Sequence, residues 1–424
     1  MCAFHRDTND QLCVDGMPLA GIAARFGTPL YVYSAAGITA AFTAFQQAVS
    51  APVSQLKTKV HFAMKANSAL GVLALIARQG GGADIVSGGE LARALAAGIN
   101  PGDIVFSGVG KTDDDLRAAI ANGIGQINAE SADEIDAISA VAATMGVVAP
   151  VALRVNVDVD PGTHAKISTG QRDTKFGIST YQNEAGDLYQ RLASDPHIQP
   201  AGLAVHIGSQ IRDLDPFERA YQALLSLADG LRNNGLDVPN LDLGGGIGVD
   251  YEAAGPTDFT GYGALITKLF KGRGYSLGFE PGRAITANNG VLLTRVIYLK
   301  NGDAKRFVIV DAAMNDLLRP TLYEAYHKIV TLHPQKTAIG KADIVGPVCE
   351  TGDYLGLDRD MPELAKGDLL AVLSAGAYGA VMASNYNSRP LTTEIMVMDG
   401  TAHLLRAARP IEAYIADETI PDFI

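Results

Sequence analysis

The sequence predicts an α/β fold in which a (β/α)8 barrel is joined to a smaller, β-rich domain. Between residues 57 and 285, eight short apolar segments alternate with helical segments, and eight is the strand count of such a barrel. After residue 290 the strand-like segments follow one another without regular helices between them. The length of 424 residues allows two or three domains, or one large barrel with an appendage.

Helical segments lie between the candidate barrel strands, and two of them carry N-terminal signals. Ser131 is followed three residues later by Glu134, which is the spacing of a capping box, and Asp113–Asp115 suits a helix N-terminus. An open, doubly wound parallel sheet shows the same alternation and is the alternative on pattern alone. The candidate strands are Lys59–Lys65, Ala83–Ser87, Asp103–Ser107, Gly125–Asn128, Val151–Val157, Gly202–His206, Leu241–Gly244 and Ser276–Glu280, and the helices are Gly88–Ala97, Thr112–Ala121, Ser131–Met145 and Phe217–Asn233.

The second domain is predicted to be built from both ends of the chain. We place the barrel at residues 37–285 and the β-rich domain at residues 1–36 and 286–424. Its candidate strands are Pro29–Ser34, Val291–Lys300, Arg306–Ala312, Gly367–Ser374 and Leu391–Met398.

Composition excludes several functional classes. The formal charge is −12, from 34 Lys and Arg against 46 Asp and Glu, and no basic run argues for nucleic-acid binding. The apolar stretches are too short to span a membrane. Three cysteines are too few for a disulfide framework or a zinc site, so no metal is expected. The N-terminus shows no signal-peptide pattern, and we expect a soluble, cytoplasmic enzyme.

One face of four candidate strands carries an ionisable residue. Side chains alternate along a strand, and the face opposite the bulky apolar residues holds Lys65, Arg154, His206 and Glu280. Three of these lie at the C-terminal ends of their strands, where barrel enzymes have their active sites. A single lysine there is usually solvated, and a single histidine is usually a core residue. The convergence of all four is what indicates a site.

Two glycine-containing loops indicate a phosphate site. Gly244–Gly248 follows the seventh candidate strand, and Glu280-Pro281-Gly282-Arg283 follows the eighth. Barrels commonly bind phosphate there through backbone N–H groups that glycine leaves accessible. The glycine run alone is weak evidence, because such a run is often a plain turn. Together, a lysine, a phosphate site and a buried glutamate are the parts that a pyridoxal 5'-phosphate enzyme needs.

Several motifs resemble those of the fold-type III, barrel-type pyridoxal phosphate-dependent decarboxylases. His61-Phe62-Ala63-Met64-Lys65-Ala66-Asn67 is similar to their Schiff-base lysine motif, and His206–Gln210, Gly244–Gly248 and Glu280–Arg283 follow in the family's order. The resemblance extends from about residue 25 to 415 and implies a TIM-like barrel in an alanine racemase-like two-domain architecture. Three further stretches resemble the branch that converts meso-2,6-diaminopimelate to L-lysine: Thr163–Gly170 with Lys175–Gly177, Asp311–Pro320 and Gly346–Thr351.

The resemblance implies a role for each matched residue. Lys65 carries the Schiff base, His206 stacks on the ring of the cofactor and Glu280 faces the ring nitrogen. The remaining cofactor-binding residues implied are Asp84, Arg154, Ser209, Gly244, Gly245, Gly246, Pro281, Gly282, Arg283 and Tyr378.

The resemblance also implies how a small amino-acid substrate is held. Family members are homodimers with active sites at the interface, so Cys349 and Glu350 are expected to come from the partner subunit, with the Cys349 thiol as proton donor. Without the motif, Cys349 reads as a small buried residue, Arg319 as an ion pair and the tyrosines as core residues. The residues implied for the substrate are Arg283, Arg319, Tyr323, Glu350 and Tyr378.

Competing functions are separated by the chemistry of the far end of the substrate. The distal centre of diaminopimelate carries an ammonium and a carboxylate. A glutamate can pair with the ammonium, and arginines can pair with the carboxylate. A decarboxylase for ornithine, arginine or a carboxylated polyamine is the same-fold alternative. An alanine racemase is disfavoured by Glu280, and a non-enzymatic carrier of the cofactor by the presence of Lys65 and Cys349.

Overall fold

The computed structural model describes residues 3–50, 57–167, 169–170, 174–303, 305–333 and 337–422. The chain divides into two compact units. The barrel unit comprises Thr39–Val249 and Thr257–Ala284, and the second unit comprises Met1–Ile38, Asp250–Pro256 and Ile285–Ile424. The domain boundaries inferred from the sequence, at residues 36/37 and 285/286, remain a prediction.

The barrel unit contains eight parallel strands in a closed ring. Each strand pairs with the next along the chain, and Leu277 of the last strand pairs with Thr58 of the first. This closure confirms the barrel and excludes the open sheet. A short strand, Ile178–Ser179, adds to the fifth barrel strand. The barrel strands, numbered first to eighth in chain order, are Thr58–Ala63, Gly82–Ile85, Ile104–Phe106, Gln126–Ala129, Ala149–Asn156, Ile198–Ala204, Asn240–Asp242 and Ser276–Phe279.

Two of the barrel helices begin at the capping residues that the sequence indicated, Thr112 and Ser131. The Thr112 hydroxyl accepts from the Asp115 N–H while the Asp115 carboxylate accepts from the Thr112 N–H, a complete capping box. Ser131 caps Glu134 N–H, but the Glu134 carboxylate bonds to the N–H of Glu130, so the capping box expected there is only half formed. The helices are Ala35–Ser50, Leu70–Arg78, Gly88–Ala96, Asp113–Ala121, Ala132–Met145, Glu184–Ala193, Asp215–Asn233 and Thr260–Phe270.

An aromatic cluster packs against the eighth strand. The Phe279 ring lies 5.9 Å from that of Phe45 and 6.3 Å from that of Tyr262, both in edge contact. These rings stabilise the fold because they remove a large apolar area from water and because edge-to-face ring contacts are favourable. Because side chains alternate along the strand, the aromatic packing of Phe279 turns Gly278 and Glu280 to the opposite face.

The second unit is a β-rich structure around one long strand. Gly290–Asn301 pairs with Leu30–Ser34, with Arg306–Val310 and with Leu369–Val372, which confirms that the N-terminal strand joins this sheet. The other strands are Phe4–Arg6, Leu12–Val14, Met17–Pro18, Ile329–Thr331, Ala338–Val345, Tyr354–Pro362, Thr393–Met398 and Thr401–Arg406, and the remaining helices along the chain are Leu19–Phe26, Arg283–Thr286, Arg319–Tyr323 and Ile411–Ile415. Within the described ranges no helix is long and apolar enough to cross a membrane.

Candidate active site

Lys65 lies at the C-terminal end of the barrel, just beyond the first strand. The strand ends at Ala63, two residues earlier than expected, and Lys65 sits on a 3-10 turn, Met64–Ala66. Its Nζ donates to Oδ2 of Asp84 at 2.5 Å. Asp84, on the second strand, is fully buried, whereas the Lys65 side chain is 34% exposed. The amino group is therefore held at the end of the barrel by a buried carboxylate.

Glu280 is a buried carboxyl one residue beyond the eighth strand. Burial raises its pKa well above the ordinary value, and the nearby carboxylates of Asp242 and Asp84 raise it further. The carboxyl is hydrogen-bonded to that of Asp242, and Oε1 lies 3.5 Å from the Ser107 hydroxyl. In this environment Glu280 keeps its proton at pH values where an exposed glutamate is ionised.

A polar layer beneath Glu280 was not predicted from the sequence. Gln126 Nε2 donates to Asn128 Oδ1 at 2.8 Å and lies 3.3 Å from Asp242 Oδ2, and Asn128 donates to Ser107 at 3.0 Å. Asp242 occupies the space left by Gly278, where a Cβ would stand 3.3 Å from the Asp242 Cγ. The position of Asp242, two residues before the first glycine of the run, was the available signal.

His206 presents a neutral ring at the same end of the barrel. Burial and the charges of Arg154 and Lys65 hold its pKa well below the ordinary value. The N–H of Gly245 donates to Nδ1 at 3.2 Å, so the proton of the neutral ring lies on Nε2. A neutral imidazole whose orientation is fixed suits stacking on a flat cofactor.

Arg154, on the fifth strand, is tied to Glu130 at the end of the fourth. Its Nη1 donates to Glu130 Oε1 at 2.8 Å, and the same carboxylate accepts from the N–H groups of Gly108 and Gly177. The predicted motif Thr163–Gly170 approaches His206, because the Thr169 hydroxyl donates to the His206 carbonyl at 2.9 Å. Ser168 of that motif lies outside the described residues.

The glycine run packs backbone against backbone. A Cβ on Gly245 would stand 2.0 Å from the Glu280 carbonyl oxygen, and one on Gly246 would stand 2.3 Å from that of Gly208. Gly244 has a φ of +66° and accepts from the Glu280 N–H at 2.7 Å. Glycine is therefore required for the loops after the sixth, seventh and eighth strands to meet.

The loop after the eighth strand links the ring of strands to Ser209. The Pro281 carbonyl accepts from the Ala63 N–H at 3.1 Å, which joins this loop to the first strand. A Cβ on Gly282 would lie 2.9 Å from that of Ala66, beside the turn that carries Lys65. Arg283 Nη2 donates to the Ser209 hydroxyl at 3.0 Å.

The second unit carries the other predicted site residues. Arg319 and Tyr323 are the first and last residues of a short helix, and Tyr378 lies in a turn with a φ of +55°. Cys349 and Glu350 are exposed in the single chain. The helix and their loop are joined, since the Thr321 hydroxyl donates to the Gly352 carbonyl at 2.7 Å.

Three hydrogen bonds hold the loop that carries Cys349 and Glu350. Asp353, whose pKa is raised by burial, accepts from the Val348 N–H at 2.6 Å. The Cys349 N–H donates to Asn387 Oδ1 at 3.1 Å. Glu350 is hydrogen-bonded to Tyr386, which raises the pKa of that tyrosine. No sequence motif pointed to the Tyr386–Asn387 pair.

The site residues thus fall into two groups. Within the described ranges no group of three or more His, Cys, Asp or Glu side chains is arranged to hold a metal ion. The barrel group is Lys65, Asp84, Arg154, His206, Ser209, Gly244–Gly246 and Glu280–Arg283, and the group in the second unit is Arg319, Tyr323, Cys349, Glu350 and Tyr378.

Comparison with known proteins identifies the family. Residues 35–287 match the model of the pyridoxal-dependent decarboxylase, pyridoxal binding domain. The chain is 49% identical to the diaminopimelate decarboxylase of Zymomonas mobilis and 49% identical to that of Pseudomonas aeruginosa, each over 97% of both chains. The chain belongs to the diaminopimelate decarboxylase family. The structure of the family member from Helicobacter pylori, complexed with L-lysine, superposes with a TM-score of 0.89 at 39% identity, over 94% of this chain and 98% of that one.

Membership of the pyridoxal-dependent decarboxylases makes pyridoxal 5'-phosphate the cofactor of this chain. The barrel residues fit it. Lys65 offers an amine beside a buried carboxylate, and Glu280 offers a buried carboxyl that retains a proton. At Gly245 there is no room for a Cβ, so no side chain covers the backbone there.

Proposed function

We propose that this chain decarboxylates meso-2,6-diaminopimelate to L-lysine and CO2, the last step of lysine biosynthesis by the diaminopimelate route. The observation that carries the reaction is the Lys65–Asp84 pair at the end of the barrel that also holds the buried, proton-retaining carboxyl of Glu280. The substrate is supported by near-full-length identity to decarboxylases named for diaminopimelate.

In this proposal the barrel holds the cofactor. Lys65 binds its aldehyde carbon, the glycine loops and Ser209 bind its phosphate, and Glu280 meets its ring nitrogen. When bound, pyridoxal 5'-phosphate supplies an electron sink for the pair left behind as the carboxylate departs as CO2. Glu280 supports that sink because its carboxyl can place a proton at the ring nitrogen. His206, neutral and fixed by Gly245, provides a flat surface without adding a charge.

The carbon that loses CO2 must receive a proton. We assign this proton to the Cys349 thiol, which general acid catalysis requires to lie within hydrogen-bonding reach of that carbon. Cys349 and Glu350 are exposed on the single chain, on a loop fixed by Asp353. This supports a homodimer in which each subunit contributes these two residues to the active site of its partner.

The distal end of the substrate is assigned to Arg283, Arg319, Tyr323, Glu350 and Tyr378. Diaminopimelate carries one carboxylate and one ammonium at that end, so guanidinium groups and a single glutamate complement it. A substrate with only an ammonium at that end would leave a buried guanidinium without its anion. Sites built for a polar partner reject substrates that lack it by several orders of magnitude.

The experiment compares substrates under identical conditions. The purified protein with added cofactor is incubated with meso-diaminopimelate or with L-ornithine, and CO2 release is followed. We expect release from diaminopimelate and little from ornithine. Release from ornithine alone would move the protein to the diamine-forming decarboxylases. Loss of optical activity of an amino acid without CO2 would indicate a racemase.

A further inference from the structure

Arg319 is held by two contacts that no motif indicated. It begins the short helix Arg319–Tyr323 and is 5% exposed. Its Nη1 lies 2.6 Å from Nε2 of His327, and its Cζ lies 4.5 Å above the centre of the Tyr251 ring. All three residues belong to the second unit.

The protonation of His327 follows from its two neighbours. A guanidinium has only donors, so Nε2 must accept the hydrogen bond from Arg319. Nδ1 lies 2.9 Å from the Leu373 carbonyl, which can only accept, so the ring proton lies on Nδ1. His327 is 0% exposed and therefore acts as a neutral, oriented acceptor.

Tyr251 contacts the guanidinium of Arg319 from a second direction and restricts its orientation. Its ring meets the His327 ring edge to face, with centroids 5.1 Å apart and an interplanar angle of 74°. The face of Tyr251 attracts the cation, while the edge contact fixes the two rings against each other. Both contacts are with uncharged groups, so they orient the guanidinium of Arg319 without placing an anion beside it.

We propose that His327 and Tyr251 are positioning residues that aim Arg319 at the distal carboxylate of the substrate and so set the preference for substrates that carry this carboxylate. The inference rests on the proposed function, in which Arg319 binds that group. Sequence reasoning could not find the three residues together, because Tyr251 and Arg319 are 68 positions apart.

The test compares two ligands that differ by the distal carboxylate alone. L-Lysine keeps the carboxylate, whereas cadaverine, the corresponding diamine, lacks it. Both are titrated into the cofactor-loaded protein and followed by the change in cofactor absorbance. For His327→Leu we expect L-lysine to bind at least about tenfold more weakly, with cadaverine unchanged, because a misplacement of about 1 Å in such a site can cost about a hundredfold. In turnover, the KM for meso-diaminopimelate rises by a larger factor than kcat falls.

Conservative variants separate positioning from folding. His327→Gln keeps an acceptor near the position of Nε2 and is expected to restore most of the preference for L-lysine. Tyr251→Phe keeps the ring face and should bind as wild type does, while Tyr251→Leu should lose preference. If His327→Leu does not fold, the comparison of Tyr251→Phe with Tyr251→Leu still tests the inference. His403→Leu, at an exposed histidine of the same unit, is the matched control.

Two results overturn the inference. One is that His327→Leu and Tyr251→Leu, both folded, leave the affinity for each of the two ligands unchanged. The other is that they weaken both ligands equally, which indicates a structural role. Arg319→Met distinguishes the inference from the proposed function. If it abolishes the preference while the other variants do not, only the inference fails. If it too leaves the preference intact, the distal role of Arg319 fails with it.

Discussion

The contact of Gly245 with the loop after the eighth strand makes a sharp prediction for Gly245→Ala. The added Cβ would lie 2.0 Å from the Glu280 carbonyl oxygen, whereas Cβ atoms do not approach closer than 3.0 Å, so one loop must move by about 1 Å. The φ of Gly245 lies outside the left-handed region, so this steric contact is the whole effect. Overpacking of this kind costs about 1–3 kcal/mol of stability.

The functional cost of that displacement should exceed its cost in stability. The Gly245 N–H orients His206, and the Glu280 carbonyl belongs to the residue assigned to the ring nitrogen. A shift of about 1 Å in such a site can cost about a hundredfold, and we expect cofactor affinity to fall at least tenfold. Affinity is measured by titrating cofactor-free protein with pyridoxal 5'-phosphate, and stability by urea unfolding.

Gly230→Ala is the matched control, because the same substitution there falls in a helix with open space around the new Cβ. It should gain about 0.5–1 kcal/mol from helix propensity and bind the cofactor as wild type does. Wild-type cofactor affinity in folded Gly245→Ala would refute the assignment of this loop to the cofactor.

Three further predictions concern the reacting groups. Lys65→Ala should leave no cofactor on the corresponding peptide after borohydride reduction and mass spectrometry; cofactor attached to another lysine of the wild-type protein would relocate the site. Mixing Lys65→Ala with Cys349→Ala chains should restore up to about a quarter of wild-type activity, since random exchange gives mixed dimers with one intact site each; no recovery despite proven exchange argues against a cysteine from the partner. Glu280→Gln should flatten the pH dependence of stability of the cofactor-free protein. The raised pKa of Glu280 makes the folded state bind its proton more tightly, so wild-type stability falls as pH rises above the ordinary value of 4.5, by up to about 1.4 kcal/mol per pH unit; equal slopes of urea midpoint against pH would contradict this.

Alternation along the strands predicted much of the barrel from sequence alone. The buried aromatic face of the eighth strand, with Phe279, assigns Glu280 to the opposite face without any long-range information. The ends of strands were less accurate, because the strands stop at Ala63 and Phe279, whereas the expected strands continued to Lys65 and Glu280. Closure of the sheet needed the structure, since an open sheet shares the same pattern.

Contacts between distant segments could not be predicted from pattern. The polar layer of Gln126, Asn128 and Asp242 depends on which inward residues meet inside the closed ring. Strand Ala338–Val345 was missed because its first half is exposed and carries no continuous apolar run. Arg319 was assigned by motif, but the residues that orient it were not.

The proposed reaction is tested most directly by its stoichiometry. Purified protein with pyridoxal 5'-phosphate is given meso-diaminopimelate, and CO2 and L-lysine are quantified in the same sample over time. We expect the two products to appear in equal amounts. CO2 without lysine, or no release from protein that holds its cofactor on Lys65, would contradict the proposed substrate.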